Sequence, residues 1–447
     1  MLIALLVAAG LPTQPVIAGP LAAAEPLVGY WQGAMTRDRV DLPVSVEFAA
    51  TPALAGRFTS LTQRAIDYPL DTVTADGSGV HFVLDGNTVF DGQRSGDALS
   101  GHFKDDTGSG TFTLRRVPAP VLPYRVEAVT FRNGDVTLAG TLVEPRGDAK
   151  HPAVVLLQGS GPETRWGTNR YIADRFARAG IAALIYDKRG SGASTGDWKT
   201  ADYDDLARDA LAAVDLLARR PEIDARRIGL HGHSQGGIVA PNAARLAAGR
   251  IAFLVAEDTV GGPVWQQDLF RVDGALKARF PPDQAEAAMA LYRLFIDVAL
   301  GRRPYDELEA AETAAGGAPW FEWLGLPRRD SWLWPWYRKT GAVDTLDYWQ
   351  VVRVPTLLAY GQRDALLPVD DSLESIEAVL DRHGTPYTAV IVPRAEHNLT
   401  VHPQPGEPFF WWHAAPGFYD LVAAWVNRTV GDGGAGESPN GPRSHRR

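Results

Sequence analysis

The sequence predicts an α/β fold, built on a mostly parallel, doubly wound sheet with a helical insertion and preceded by a small antiparallel β domain. Three observations predict it. Six continuous apolar runs alternate with helical patterns between residues 153 and 393. Short segments with alternating apolar and polar positions, broken by turn residues, come before them. A strandless, tryptophan-rich stretch interrupts the series.

The elements follow in order. Residues Leu2 to Ala9 are apolar and the stretch ends in Ala22-Ala23-Ala24, the pattern of a secretory signal peptide over 1–24. No Lys or Arg precedes Arg37, so the basic start of such a leader is missing. Over 25–118 the segments VDLPVSVEF, GRFTSL, GVHFVL, NTVFDGQ, ALSGHF and SGTFTLRR alternate with period two. Breaks at Asp76-Gly77, Asp85-Gly86 and Gly108 fall at hairpin spacing, so an antiparallel meander or open barrel is expected. The linker VPAPVLP (Val117 to Pro123) is too proline-rich to join a sheet and marks the boundary.

From 124 to 430 the pattern changes. A hairpin around Asn133-Gly134 leads into AVVLLQ, AALIYD, RIGLHG, AFLVAE, TLLAYG and TAVIVP. Runs this apolar suit strands covered on both faces, as in a parallel sheet. The segment 204–220 repeats apolar residues at three and four, with an Asp-rich start and an Arg-rich end that suit the helix dipole. Between about 263 and 350 strands stop, and six of the 13 tryptophans fall between Trp320 and Trp349. An insertion of this kind reads as a cap over a site, its aromatics serving either the cap core or a substrate pocket. Residues 431–447 are Gly, Pro and Ser with a basic end, the composition of a disordered tail.

Composition excludes several functions. The 447 residues are about three times the ~150 of a typical domain, so more than one folding unit is expected. Hydrophobic residues at 45% and charged residues at 22% exclude a disordered chain, a coiled coil and a polytopic membrane protein. A net charge of −9 argues against a nucleic-acid partner. The absence of cysteine removes thiol nucleophiles, zinc-thiolate sites, iron–sulfur clusters and disulfides. No run reaches the ~18 apolar residues of a membrane span. The oligomeric state is left open.

Gly232-His233-Ser234-Gln235-Gly236 follows a strand and leads into a helix, the setting of a nucleophile elbow. Glycines two before and two after the serine permit a turn too tight for a Cβ, and the helix N-terminus favours a developing anion. A second match, Gly192-Ala193-Ser194-Thr195-Gly196, has no helix after it and reads as a structural loop. The serine needs a base, and a hydrolase of this kind runs Ser, acid, His. Among His383, His397, His402, His413 and His445, His397 alone follows the final strand at its C-terminal end, where catalytic groups of open α/β sheets gather. Asp364, after TLLAYG, would orient it, with Asp258 as the rival acid. The backbone N–H groups of Gln235 and Ser160 are the expected oxyanion donors. His231 and His233 are spaced like a metal pair but lack a third ligand, so no metal is assigned. Asp187-Lys188-Arg189-Gly190 reads as a packing loop.

In this order, QGSGP, YDKRGSGASTG, GLHGHSQGG, GQRD and AEHN resemble the α/β-hydrolase superfamily over about residues 125–430. Within it the chain is similar to bacterial exported esterases related to serine aminopeptidases and dienelactone-hydrolase-like proteins. It departs from many relatives at Gln158, where they carry His. The resemblance implies an α/β-hydrolase fold and a cofactor-free Ser-His-Asp hydrolase acting on an ester, thioester or amide. The expectation is a secreted or periplasmic carboxylic-ester hydrolase of small-molecule ester or acyl substrates, with Ser234, Asp364 and His397 as triad. Aminopeptidase, thioesterase and acyltransferase share that machinery, and a non-catalytic binding protein is the alternative of a different class. The N-terminal β domain, outside the resemblance, is expected to be modular, so that a chain starting near Pro123 keeps a working triad; the competing reading is that its strands pack over an apolar face of the hydrolase and truncation exposes a large patch.

Overall fold

The computed structural model describes residues 26–50 and 53–431. The leader (1–24) and all but the first residue of the tail (431–447) lie outside them.

Nine antiparallel strands come first: β1 (Gly29–Arg37), β2 (Val40–Ala49), β3 (Ala55–Ser60), β4 (Ala65–Pro69), β5 (Thr72–Asp76), β6 (Gly79–Leu84), β7 (Thr88–Ser95), β8 (Ala98–Asp105) and β9 (Gly108–Val117). They form one sheet in the order β4-β3-β2-β1-β9-β8-β7-β6-β5. Alternation puts one face inside; β3, for example, alternates exposed and buried residues. The sheet curls into a half-barrel. Phe48 of β2 meets Phe82 of β6 edge-to-face at 5.7 Å, although the two strands lie five places apart in the sheet. Trp31, Phe90, Phe103 and Phe112 complete this aromatic core. Residues 118–123 carry no strand, and Val121 is almost fully exposed.

The second sheet has eight strands: β10 (Tyr124–Asn133), β11 (Val136–Pro145), β12 (His151–Leu157), β13 (Ala182–Tyr186), β14 (Ile223–His233), β15 (Leu254–Glu257), β16 (Thr356–Gly361) and β17 (Tyr387–Val392). Their order is β10-β11-β13-β12-β14-β15-β16-β17, antiparallel across β10, β11 and β13 and parallel from there on. Helices Tyr203–Ala218, Gln235–Leu246 and Val369–Arg382 cover one face, and Thr168–Arg178 and Phe418–Val430 the other. The fold class is therefore the expected α/β-hydrolase arrangement with a mostly parallel sheet. Helix Tyr203–Ala218 starts at a capping box between Asp202 and Asp205, while Arg219 and Arg220 fall just past its end. One strand differs from expectation. β17 is the sheet's edge, so its residues are half-buried or exposed, not covered on both faces, and Ile391 is 43% exposed.

Between β15 and β16 lie six helices, from Val264 to Trp349. They bury a core of their own that includes Leu276, Phe295, Trp320 and Trp336, whereas Trp349 packs into the main sheet's core.

The half-barrel packs against the second unit. Ile66, from β4, belongs to the core beneath Thr168–Arg178 and Phe418–Val430. Trp411, from the other end of the chain, belongs to the half-barrel's core and donates its indole N–H to the carbonyl of Val40. The fully buried Arg170 pairs with Asp67 at 3.1 Å, and Arg57 lies 4.9 Å from the ring of Trp166. Alternation gives the sheet one buried face of its own, and the seam with the second sheet is also closed by side chains from both units.

Candidate active site

Every loop that follows a parallel strand opens on the same edge of the sheet. At the end of β14, Ser234 adopts φ 53° and ψ −116°, a conformation costing a non-glycine residue of order 1–3 kcal/mol. Its surroundings fix it there. A Cβ on Gly232 would stand 2.0 Å from the carbonyl oxygen of Gly236, and one on Gly236 would stand 2.4 Å from that of Leu157. The Ser234 N–H donates to the Glu257 carbonyl and its own carbonyl accepts from the Gly237 N–H, each at 2.9 Å. The side chain is thus presented at the N-terminus of the helix Gln235–Leu246. Ser194 is different. Its buried hydroxyl donates to the Asp187 carbonyl at 2.7 Å and accepts from the Ala139 N–H at 3.0 Å, so it closes a loop.

His397 and Asp364 come together from the ends of β17 and β16. Nδ1 of His397 donates to Oδ2 of Asp364 at 2.6 Å, and Oδ1 of that carboxylate accepts from the Leu366 N–H at 2.7 Å. The second ring nitrogen is left for chemistry. Burial pushes the imidazole pKa down, but the hydrogen bond and charge of Asp364, with Asp258 and Glu163 behind, outweigh it and raise His397 above its ordinary value. No hydrogen bond joins Ser234 Oγ to His397 among the described residues; contacts of this kind tighten when substrate binds. Both residues line one cavity of about 270 Å³. Ser160 and Gln235 line it too, as do Asp268, Arg271, Trp336 and Tyr337 of the insertion. The tryptophan cluster therefore serves mainly the cap's core, with Trp336 reaching the cavity.

The remaining candidates sort by their contacts. Asp258 accepts the Gly361 N–H at 2.9 Å, and burial pushes its pKa up to about 7. Its other oxygen lies 4.0 Å from Nε2 of His233 without a hydrogen bond. His233, Asp258 and His397 offer ligand atoms within 4.8 Å of one another, the one trio among the described residues close enough to hold a cation. His231 points elsewhere: it bonds Glu257 at 2.7 Å beneath the sheet edge. His383 ends an exposed helix terminus, and His402 stacks on Trp412.

Two residues were not legible as part of this site. The buried Arg64, in the turn between β3 and β4, donates to the carbonyl of Asn398 and to the Tyr419 hydroxyl. Tyr419 in turn donates to Glu257 at 3.2 Å. Asn398 and Leu399 both have positive φ, 68° and 55°, so the segment after His397 is strained and Arg64 ties it down. Nothing in the local sequence marks an arginine whose partner lies 334 residues away. Lys188, read as part of a packing loop, is buried behind Gly159 and Gln235; its position directly after a parallel strand was the available signal.

Comparison with known proteins adds a lineage. Residues 154–410 match the alpha/beta hydrolase family. The chain is 32% identical over 132 residues to the esterase EstD of Thermotoga maritima, a match covering 28% of this chain and only 32% of that protein. Among solved structures, an esterase of Pyrococcus furiosus covers 70% of this chain and 93% of its own, at 19% identity and a TM-score of 0.42. A dienelactone hydrolase of Anabaena variabilis covers 68% and 96%, at 20% identity and a TM-score of 0.38.

Proposed function

The chain belongs to the alpha/beta hydrolase family, and from that premise we propose that it hydrolyses carboxylic esters through an acyl-enzyme formed on Ser234. The observation that carries this reading is the placing of Ser234, on a left-handed turn at a helix N-terminus, in one cavity with a histidine whose Nδ1 is held by Asp364. Ser234 Oγ attacks the ester carbonyl while His397 takes its proton. The N–H groups of Gln235 and Ser160 receive the oxyanion. Collapse of that intermediate expels the alcohol, which takes the proton back from His397. Water, deprotonated by the same histidine, then attacks the acyl-enzyme, and collapse of the second tetrahedral intermediate releases the acid as Ser234 Oγ takes the proton back from His397. Asp364 fixes the ring and stabilises the imidazolium. The similarity to EstD, itself named an esterase, supports ester over amide or thioester. The apolar leader supports export to the periplasm or medium.

A fluorophosphonate probe followed by peptide mass spectrometry tests the nucleophile. Label on Ser234, together with turnover of p-nitrophenyl esters in preference to aminoacyl anilides, is the expected result. No label and no turnover leaves a non-catalytic binding protein; preference for the anilides makes it an aminopeptidase.

A further inference from the structure

Lys188 follows β13 and is 3% exposed. Its ammonium donates to the carbonyl oxygen of Gly159 and to Oε1 of Gln235, the latter at 2.9 Å. The Gly159 carbonyl and the Ser160 N–H belong to one peptide unit, and in a trans peptide they point in opposite directions. Whatever holds that oxygen therefore aims that N–H. The rest of the turn is tied as well: the Gly159 N–H donates to Glu163 at 3.1 Å, and the Lys188 N–H donates to the Glu163 carbonyl at 3.1 Å. Among the described residues no hydrogen bond is seen from the Ser160 N–H, and Ser160 lines the cavity. Gln235, the second residue held by the ammonium, carries the other proposed oxyanion donor on its backbone.

We infer that Lys188 is a positioning residue: its buried ammonium braces the Gly159–Ser160 peptide against the Gln235 side chain and so sets the spacing of the two oxyanion donors. This rests on the reading of Ser234, Ser160 and Gln235 given above. A cation bound to the peptide oxygen also polarises the peptide, making its N–H a stronger donor to negative charge. Stability alone gives little reason for the charge. Burial pushes the lysine pKa down to about 8, with Glu163 opposing, and a buried charge is weak support for a fold that an apolar chain of equal length could pack. One of its acceptors is the carbonyl of the peptide whose N–H would meet the oxyanion, and the other is the side chain of the residue that supplies the second donor.

The test compares wild type with Lys188→Met, Gln235→Met, the double variant and Ser234→Ala on p-nitrophenyl acetate. It includes the affinity of a trifluoromethyl ketone, which forms a tetrahedral oxyanion on an active serine. Displacing the donors by up to an ångström predicts a kcat about 10²-fold lower in Lys188→Met, with KM nearly unchanged and the ketone weakened by a similar factor. Gln235→Met, which keeps the backbone N–H and loses one tether, falls less, and the double variant falls no further than Lys188→Met. A folded Lys188→Met with wild-type kcat and ketone affinity overturns the inference. If Lys188→Met does not fold, Gln235→Met decides: an equal loss in kcat and ketone affinity supports the brace, and no loss in either overturns it. Ser234→Ala separates the two levels, because activity surviving there overturns the serine mechanism itself, whatever Lys188 does.

Discussion

The guanidinium of Arg64, carried by a turn of the N-terminal sheet, donates to the carbonyl of Asn398, the residue that follows His397. A side chain from outside the family-matching region thus holds the segment bearing the proposed catalytic base. The same guanidinium reaches the Tyr419 hydroxyl at 3.2 Å, and through it the buried Glu257.

Arg64→Ala leaves the Asn398 carbonyl and the Tyr419 hydroxyl short of a partner, at a cost of about 1–3 kcal/mol. The thermal midpoint is expected to fall, and kcat to fall with it even at temperatures where the protein is fully folded. A chain starting at Pro123 also loses Ile66 from the core and uncovers the surface around Trp166 and Trp411. It is expected to be insoluble, or soluble without turnover of p-nitrophenyl acetate. A soluble, active truncation would return the half-barrel to the status of a module.

Ser234→Ala is expected to lower kcat by several orders of magnitude, and Ser194→Ala to leave it close to wild type. The second substitution still costs stability, roughly 1–3 kcal/mol, because Ala139 N–H and Asp187 carbonyl lose their shared partner. Thermal melting and kcat measured on both variants separate the two roles. A probe adduct on Ser194 would reverse the assignment.

The pH profile follows from the balance at His397. Burial lowers its pKa, Asp364 raises it more, and the result lies above the ordinary ~6.5. Only the neutral ring accepts the serine proton, so kcat/KM is expected to rise with pH through an apparent pKa higher than that value. Asp364→Asn removes the largest upward influence, so the apparent pKa drops while kcat falls by about 10⁴-fold. A rate flat from pH 5 to 8, with chemistry limiting, would remove His397 from the mechanism.

Gly232→Ala and Gly236→Ala are both expected to abolish folding of the elbow, since each new methyl would sit 2.0 or 2.4 Å from a backbone oxygen that cannot yield. Loss of probe labelling in whatever soluble protein is recovered checks this. Gly274→Ala, in an open position of the insertion's first helix, serves as the tolerant control.

These residues also show what a sequence exposes. That Ser234, Asp364 and His397 gather at one edge could be read because each stands just after an apolar strand, and strand ends of a parallel sheet share an edge. The flanking glycines could be read because a turn of that tightness admits nothing larger. Arg64 could not, since its role depends on how two sheets dock and no local pattern encodes docking. The edge position of β17 was hidden for a related reason: an apolar run does not tell whether a neighbour follows it. Lys188 stood in plain view, but a lysine in a charged loop is ordinarily solvated, and only its burial revealed what it holds.

The seating of Trp411 in the half-barrel has a consequence for how the chain is made. The indole bonds Val40 across 371 positions, so the N-terminal sheet, synthesised before it, lacks a piece of its own interior until residue 411 has been made. The sheet's last strand ends at Val117, 294 residues before Trp411, so at ~5–20 residues per second that gap lasts roughly 15–60 s. Until it closes, the aromatic lining around Phe103 is open to any passing apolar surface. The nascent chain therefore has a long interval in which this lining meets other apolar surfaces before its own tryptophan arrives. A ribosome stalled just short of residue 411 would carry a sheet that is hydrogen-bonded but unsealed.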